Sequence, residues 1–223
     1  MGRRGQLGAV AAAAALVAGV AVTSVRAHEA RAPTGGPLSA RPSLAVIRES
    51  PEFVLVDAVG RTLRLSALRG RVVLLAFVYT RCPTACPLVS QRMAVLQRRL
   101  IAAGHLPGRA VLLSVTVDAE RDDGPSLARY AGAVRARVDG WWFLHEKPER
   151  LRPALAAFDE WTRREPDGSI DHPARLHLID ARGRVREIYS LALFDERQAF
   201  LDIEALLREN PPADHERPRN PSR

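Results

Sequence analysis

Residues Val72 to Tyr79, Val-Val-Leu-Leu-Ala-Phe-Val-Tyr, form an unbroken apolar run that ends directly before Thr80-Arg81-Cys82-Pro83-Thr84-Ala85-Cys86-Pro87. A run with no polar alternation reads as a strand covered on both faces, the pattern of a parallel sheet with helices packed above and below. Helical spacing follows through Cys86, Leu88, Met93, Leu96 and Leu100 and stops at Gly104. The only two cysteines of the chain therefore lie where a central strand turns into a helix, the place where open α/β sheets put their ligand sites.

Short apolar runs alternate with helical stretches around this unit, which predicts an α/β domain with a central mixed sheet flanked by helices. Phe53 to Val56 and Thr62 to Leu65, either side of Gly60, predict an N-terminal β-hairpin. Val111 to Val117 is the next buried strand, and Asp123 caps a helix carrying Leu127, Tyr130 and Val134. A brief strand over Trp142 to Leu144 and a helix over Pro148 to Trp161 follow. Arg175 to Ile179 and Val185 to Tyr189 make a second hairpin, and Glu196 to Arg208 closes the domain with a helix. The domain is expected over residues 51–208, with a disordered, proline-rich tail over 209–223.

A chain of 223 residues accommodates one well-buried domain and some extra, and 47% hydrophobic with 26% charged residues is a globular composition. The charge of +8 and pI near 10.7 come almost wholly from arginine, Lys147 being the only lysine. These cations are spread along the chain among 25 acidic residues, with no basic stripe or reading helix, so no nucleic-acid partner is expected. An arginine-rich solvated surface, helped toward anionic lipid, accounts for the charge.

Residues 1–27 have the parts of an export signal: Arg3 and Arg4, an apolar stretch from Leu7 to Val22, then Val25-Arg26-Ala27. A cleaved signal peptide and a retained membrane anchor both fit, since the stretch is about as long as the shortest spanning helix, roughly 17 residues. General secretion and twin-arginine export both remain open. Residues 28–50, with Pro33, Gly35, Gly36, Pro37 and Pro42, read as a flexible linker.

Three chemistries suit a Cys-x3-Cys pair. A structural disulfide would close a loop too short to constrain the unfolded chain much. Thiol-disulfide exchange more often uses Cys-x2-Cys, and a third intervening residue alters that turn. Soft-metal binding needs further donors; two thiolates and an imidazole suit Cu(I), and the same set with a weak fourth donor suits Cu(II). Structural zinc would want four closed ligands, and there is no third cysteine. The helix N-terminus should make Cys86 in particular thiolate-prone.

Six histidines could supply the imidazole. His28 and His215 lie in the linker and tail, His105 follows the Gly104 stop, and His145 ends a short strand beside Trp141 and Trp142. His172, in Ile170-Asp171-His172-Pro173, precedes a strand, while His177 lies inside it and reads equally as a satisfied sheet residue. Spacing leaves these two level.

The cysteine motif from Tyr79 to Pro87, Asp171-His172 followed by Leu178-Ile179-Asp180 and Gly183, and Ser114 to Asp118 with Arg121-Asp122 together resemble the Sco/SenC family of copper-binding proteins that assist cytochrome c oxidase assembly. The resemblance covers roughly Pro51 to Leu207. It implies a thioredoxin-like fold, copper as Cu(I) or Cu(II) held by Cys82, Cys86 and His172 rather than His177, and a setting in the periplasm or at the periplasmic side of the inner membrane. It implies as partners the copper-site subunit of cytochrome c oxidase and a thiol reductant. Ala119 stands where the family commonly has proline, and His145-Glu146 replaces a small polar pair, which bears on partner contacts. Asp118, Glu120, Asp122 and Asp123 could form an acidic docking patch, or a solvated loop. A metallochaperone is the leading expectation; a thiol-disulfide reductase and a peroxidase-like thiol protein are the alternatives.

Overall fold

A computed structural model describes residues 44–210. The signal or anchor, most of the linker and nearly all of the tail lie outside the described residues. The strands are β1 (Arg48–Glu49), β2 (Val54–Asp57), β3 (Thr62–Arg64), β4 (Val72–Val78), β5 (Ala110–Thr116), β6 (Trp141–His145), β7 (Arg163–Arg164), β8 (Ile170–Asp171), β9 (Arg175–Ile179) and β10 (Arg184–Ser190). The helices are α1 (Ala85–Ala102), α2 (Gly124–Ala133), α3 (Pro148–Ala157) and α4 (Glu196–Glu209).

One mixed sheet runs in the order β1-β10-β9-β4-β5-β6-β2-β3, and β7 with β8 forms a small separate hairpin. Strands β4, β5 and β6 are parallel; β9 runs antiparallel to β4 and β2 antiparallel to β6. All seven residues of β4 and of β5 are buried, as an apolar run without alternation requires. Helix α1 packs beside α4 and against β5, α2 lies on β6 and α3 on β2.

The sheet already pairs at Arg48–Glu49, ahead of Pro51, because β10 has β9 on one side and offers its other edge to this segment. Helix α3 stops at Ala157, short of Trp161. Asp159 adopts a left-handed φ of 59° and donates its N–H to Ala156 O, while Glu160 N–H reaches Leu155 O. This pair of bonds is the left-handed helix ending that glycine ordinarily supplies, so the stop carries no obvious sequence mark.

Pairing of β4 with β9, Ala76 opposite Leu176, has the consequence that matters for function. Two antiparallel neighbours bring the residues that leave β4 and those that enter β9 to the same end of the sheet. The Cys82 turn and His172, 90 residues apart in the chain, are thereby neighbours.

Candidate metal centre

Both cysteines are free, Cys82 partly exposed and Cys86 buried. Thr84, at the N-cap of α1, makes no side-chain capping bond. The Cys86 N–H instead donates to Cys82 Sγ at 3.2 Å, so a sulfur takes the place of the capping oxygen. The thiolate preference expected for Cys86 is reversed by this geometry. The Cys86 thiol, then the Cys86 and Thr84 N–H groups and the Tyr79 hydroxyl, hydrogen-bond to Cys82 and bring its pKa down to about 5 against the cost of partial burial. Hydrogen bonding to the Cys82 sulfur and burial both push the Cys86 thiol up. The free donors at the helix start aim at the neighbour's sulfur, and the residue on the first turn is the one left protonated.

Tyr79 connects the cysteine turn to the histidine segment. Its carbonyl accepts the Cys82 N–H at 3.3 Å, its hydroxyl accepts the Ile170 N–H at 3.2 Å, and its ring meets the His172 ring edge-on at 6.1 Å between centroids.

A second connection comes from the β5–α2 loop. Asp122 accepts from Thr80 N–H at 2.9 Å, from the Thr80 hydroxyl and from Thr116 Oγ1 at 2.6 Å, which pins the start of the cysteine turn. Asp118 pairs with Arg121 and, at 3.0 Å, with Arg164 of β7; Arg121 also donates to Gly168 O at 2.8 Å. Gly168 turns the β7–β8 hairpin with a φ of 82°, a conformation glycine adopts freely. Asp118 and Asp122 are 1% and 3% exposed, so they are neither a docking patch nor a solvated loop. They bond inward because neighbouring arginines and backbone donors face them. Glu120 is exposed and pairs with Arg164, and Asp123 caps α2 through Ser126 N–H, as its position predicts.

His172 follows β8 with its side chain 5% exposed. Its Nδ1 lies 3.4 Å from Glu160 Oε2 and 3.2 Å from the Ala174 N–H. Glu160, which sequence reading passed over inside an expected helix, is a fully buried carboxylate that also accepts from Arg175 N–H at 3.3 Å. His177 sits in β9 opposite Leu75, 0% exposed and edge-on to Phe77 and Phe158, and neither ring nitrogen has a hydrogen-bond partner. It is a sheet residue, but not a satisfied one.

Among the other candidates, His105 pairs with Glu204 of α4, His145 ends β6, and Asp171 pairs with Arg163 at the surface. His28 and His215 lie outside the described residues. Among the described residues no three His, Cys, Asp or Glu side chains converge at metal-binding distance. The thiols are adjacent to each other; His172 stands across Tyr79 from them, its Nδ1 already bonded.

The SCO1/SenC family model matches residues 43–208. This chain belongs to the SCO1/SenC family. It is 28% identical over 145 residues to the SCO1 protein homolog of Bacillus subtilis, covering 64% of this chain and 74% of that protein. ScoI of Bradyrhizobium japonicum, solved with copper bound, superposes with a TM-score of 0.61 at 21% identity, over 71% of this chain and 99% of that one. BsSco, described as having a disulfide switch and as a member of the Sco family of cytochrome c oxidase assembly proteins, gives 0.62 at 25% identity, over 74% and 96%. The fold shared with these SCO1/SenC proteins is the thioredoxin-like fold that the family resemblance implied.

Proposed function

We propose that this chain is a copper carrier in which Cys82, Cys86 and His172 hold the ion and pass it by ligand exchange to the copper-site subunit of cytochrome c oxidase. One observation carries the reading: a pair of free thiols at the start of α1, with Cys82 poised as thiolate and bonded to Tyr79, whose ring is in edge contact with His172. Two sulfurs and one imidazole form a soft, low-coordinate donor set that fits copper and leaves room for an incoming ligand. Copper in a family member and the assembly role given for another support the same reading. On this proposal the chain is exported, works at the periplasmic side of the membrane, and depends on a thiol reductant to keep both sulfurs available.

Thiol asymmetry also favours a second reading. A partly exposed thiolate beside a buried thiol is the arrangement of an attacking and a resolving cysteine, so reduction of a disulfide in the copper-site partner fits the same pair.

Copper titration of the reduced full chain, wild type against His172→Ala, tests the first reading. Tight 1:1 binding in the wild type that weakens at least tenfold in the variant is expected. Binding left unaltered by the substitution removes His172 from the ligand set. A chain that takes up no copper, yet reduces a disulfide substrate, leaves only the reductase.

A further inference from the structure

We infer that Glu160 is the positioning residue for His172: it accepts the Nδ1–H and so leaves Nε2 as the nitrogen offered to the metal. The inference deepens the reading of His172 as a copper ligand and rests on it.

Glu160 is 2% exposed, and a buried carboxylate must find donors. The chain is rich in arginine, yet among the described residues no guanidinium pairs with Glu160. Its Oε1 takes the Arg175 N–H, and the donor in reach of Oε2 is His172 Nδ1. The Arg175 guanidinium turns away to Asp159 O. A buried acid given an imidazole where an arginine was available is a specific pairing.

The backbone holds Glu160 in place. It is the residue immediately after the left-handed Asp159, with its own N–H fixed to Leu155 O at 3.0 Å. His172 is equally constrained, with Tyr79 across the edge of its ring. Neither partner rests on a free loop end.

Two groups compete for Nδ1 and demand opposite tautomers. The Ala174 N–H, at 3.2 Å, needs Nδ1 to be the acceptor; Glu160, at 3.4 Å, needs it to be the donor. Ala174 is only partly buried, so its N–H loses less without this partner than an enclosed carboxylate oxygen does. With Nδ1 as acceptor, Oε2 would be left buried without a donor. The Nδ1–H form wins, and the lone pair then lies on Nε2. Carboxylates orient metal-binding imidazoles in this way in general, and their loss typically weakens metal binding about 10- to 100-fold.

The test begins without metal. In reduced, metal-free full-length chain labelled with 15N-histidine, long-range proton–nitrogen correlation at pH 8 should report His172 protonated on Nδ1. Glu160→Gln, whose amide oxygen can accept the same bond, should keep that tautomer, and Glu160→Ala should shift it toward Nε2–H. Copper competition with a chelator should then show affinity about 10- to 100-fold lower in Glu160→Ala than in wild type, with less loss in Glu160→Gln. The Cu(II) nitrogen hyperfine pattern should change in Glu160→Ala. A wild-type His172 protonated on Nε2 overturns the inference, and that measurement needs no variant to fold. So does a Glu160→Ala protein with the tautomer, affinity and spectrum of wild type. Failure of the underlying reading looks different: His172→Ala would then bind copper as wild type does, whatever the tautomer.

Discussion

His177 lies between the edges of Phe77 and Phe158 with neither nitrogen hydrogen-bonded, and burial brings its pKa from 6.5 to about 4. The folded chain therefore holds this imidazole neutral where the unfolded chain protonates it. Stability from this site is complete above pH 6.5 and falls as pH drops toward 4, by about 3 kcal/mol in all. Urea melts of wild type and His177→Phe at pH 7 and pH 4 check this: the wild type should lose 2 to 3 kcal/mol more than the variant, roughly. Equal losses would refute the assignment. The same scale explains the thiols. Which of Cys82 and Cys86 carries the charge depends first on the hydrogen bond between the two thiols and then on where a few N–H groups point, and the expectation for Cys86 failed because its thiol and its own N–H both turn to Cys82.

At the scale of elements, the β5–α2 loop is a brace with two grips. Asp122 holds the Thr80 end of the cysteine turn, and Asp118 holds the β7–β8 hairpin that leads into His172. One short segment thus sets the spacing between thiols and imidazole, although it contributes no donor of its own. Asp118→Ala releases the hairpin grip. It should cost about 1 to 3 kcal/mol, the lower part of that range if the freed arginines hydrate. Hydrogen exchange should quicken over residues 163–171 while β4 and β5 stay protected. Unchanged exchange in the hairpin would show that Arg121 and Arg164 do not depend on Asp118.

Over the whole molecule, Arg186 joins parts that are far apart in the chain. Its buried guanidinium meets Asp180 at 3.0 Å, Glu209 at the end of α4 at 2.7 Å, and the Leu44 carbonyl ahead of β1. Arg186→Met leaves Leu44 O and Glu209 without this donor and leaves Asp180, 1% exposed, with one arginine fewer. Loss of one partner of a buried pair costs about 3 to 5 kcal/mol, and since Arg184 stays on Asp180 a figure near the bottom of that range is expected. A lower urea midpoint at unchanged m, with faster exchange at residues 46–50, is the predicted outcome. An unaltered midpoint would mean that the β1 edge is held by its backbone bonds alone.

Much of this architecture was legible in the chain. The run Val72 to Tyr79, the helix from Cys86 to Gly104 and the two hairpins follow from periodicity, because burial on both faces, on one stripe or on one side leaves a different spacing of apolar residues. Residue types named Cys82 and Cys86, and a family resemblance singled out His172. Only the tertiary structure decided which thiol is charged, that Asp118 and Asp122 turn inward, that α3 ends before Glu160, and that Glu160 meets His172. Periodicity records how far each side chain is from water. It holds no record of which distant polar group lies opposite, and hydrogen bonds with their directions are set by that alone.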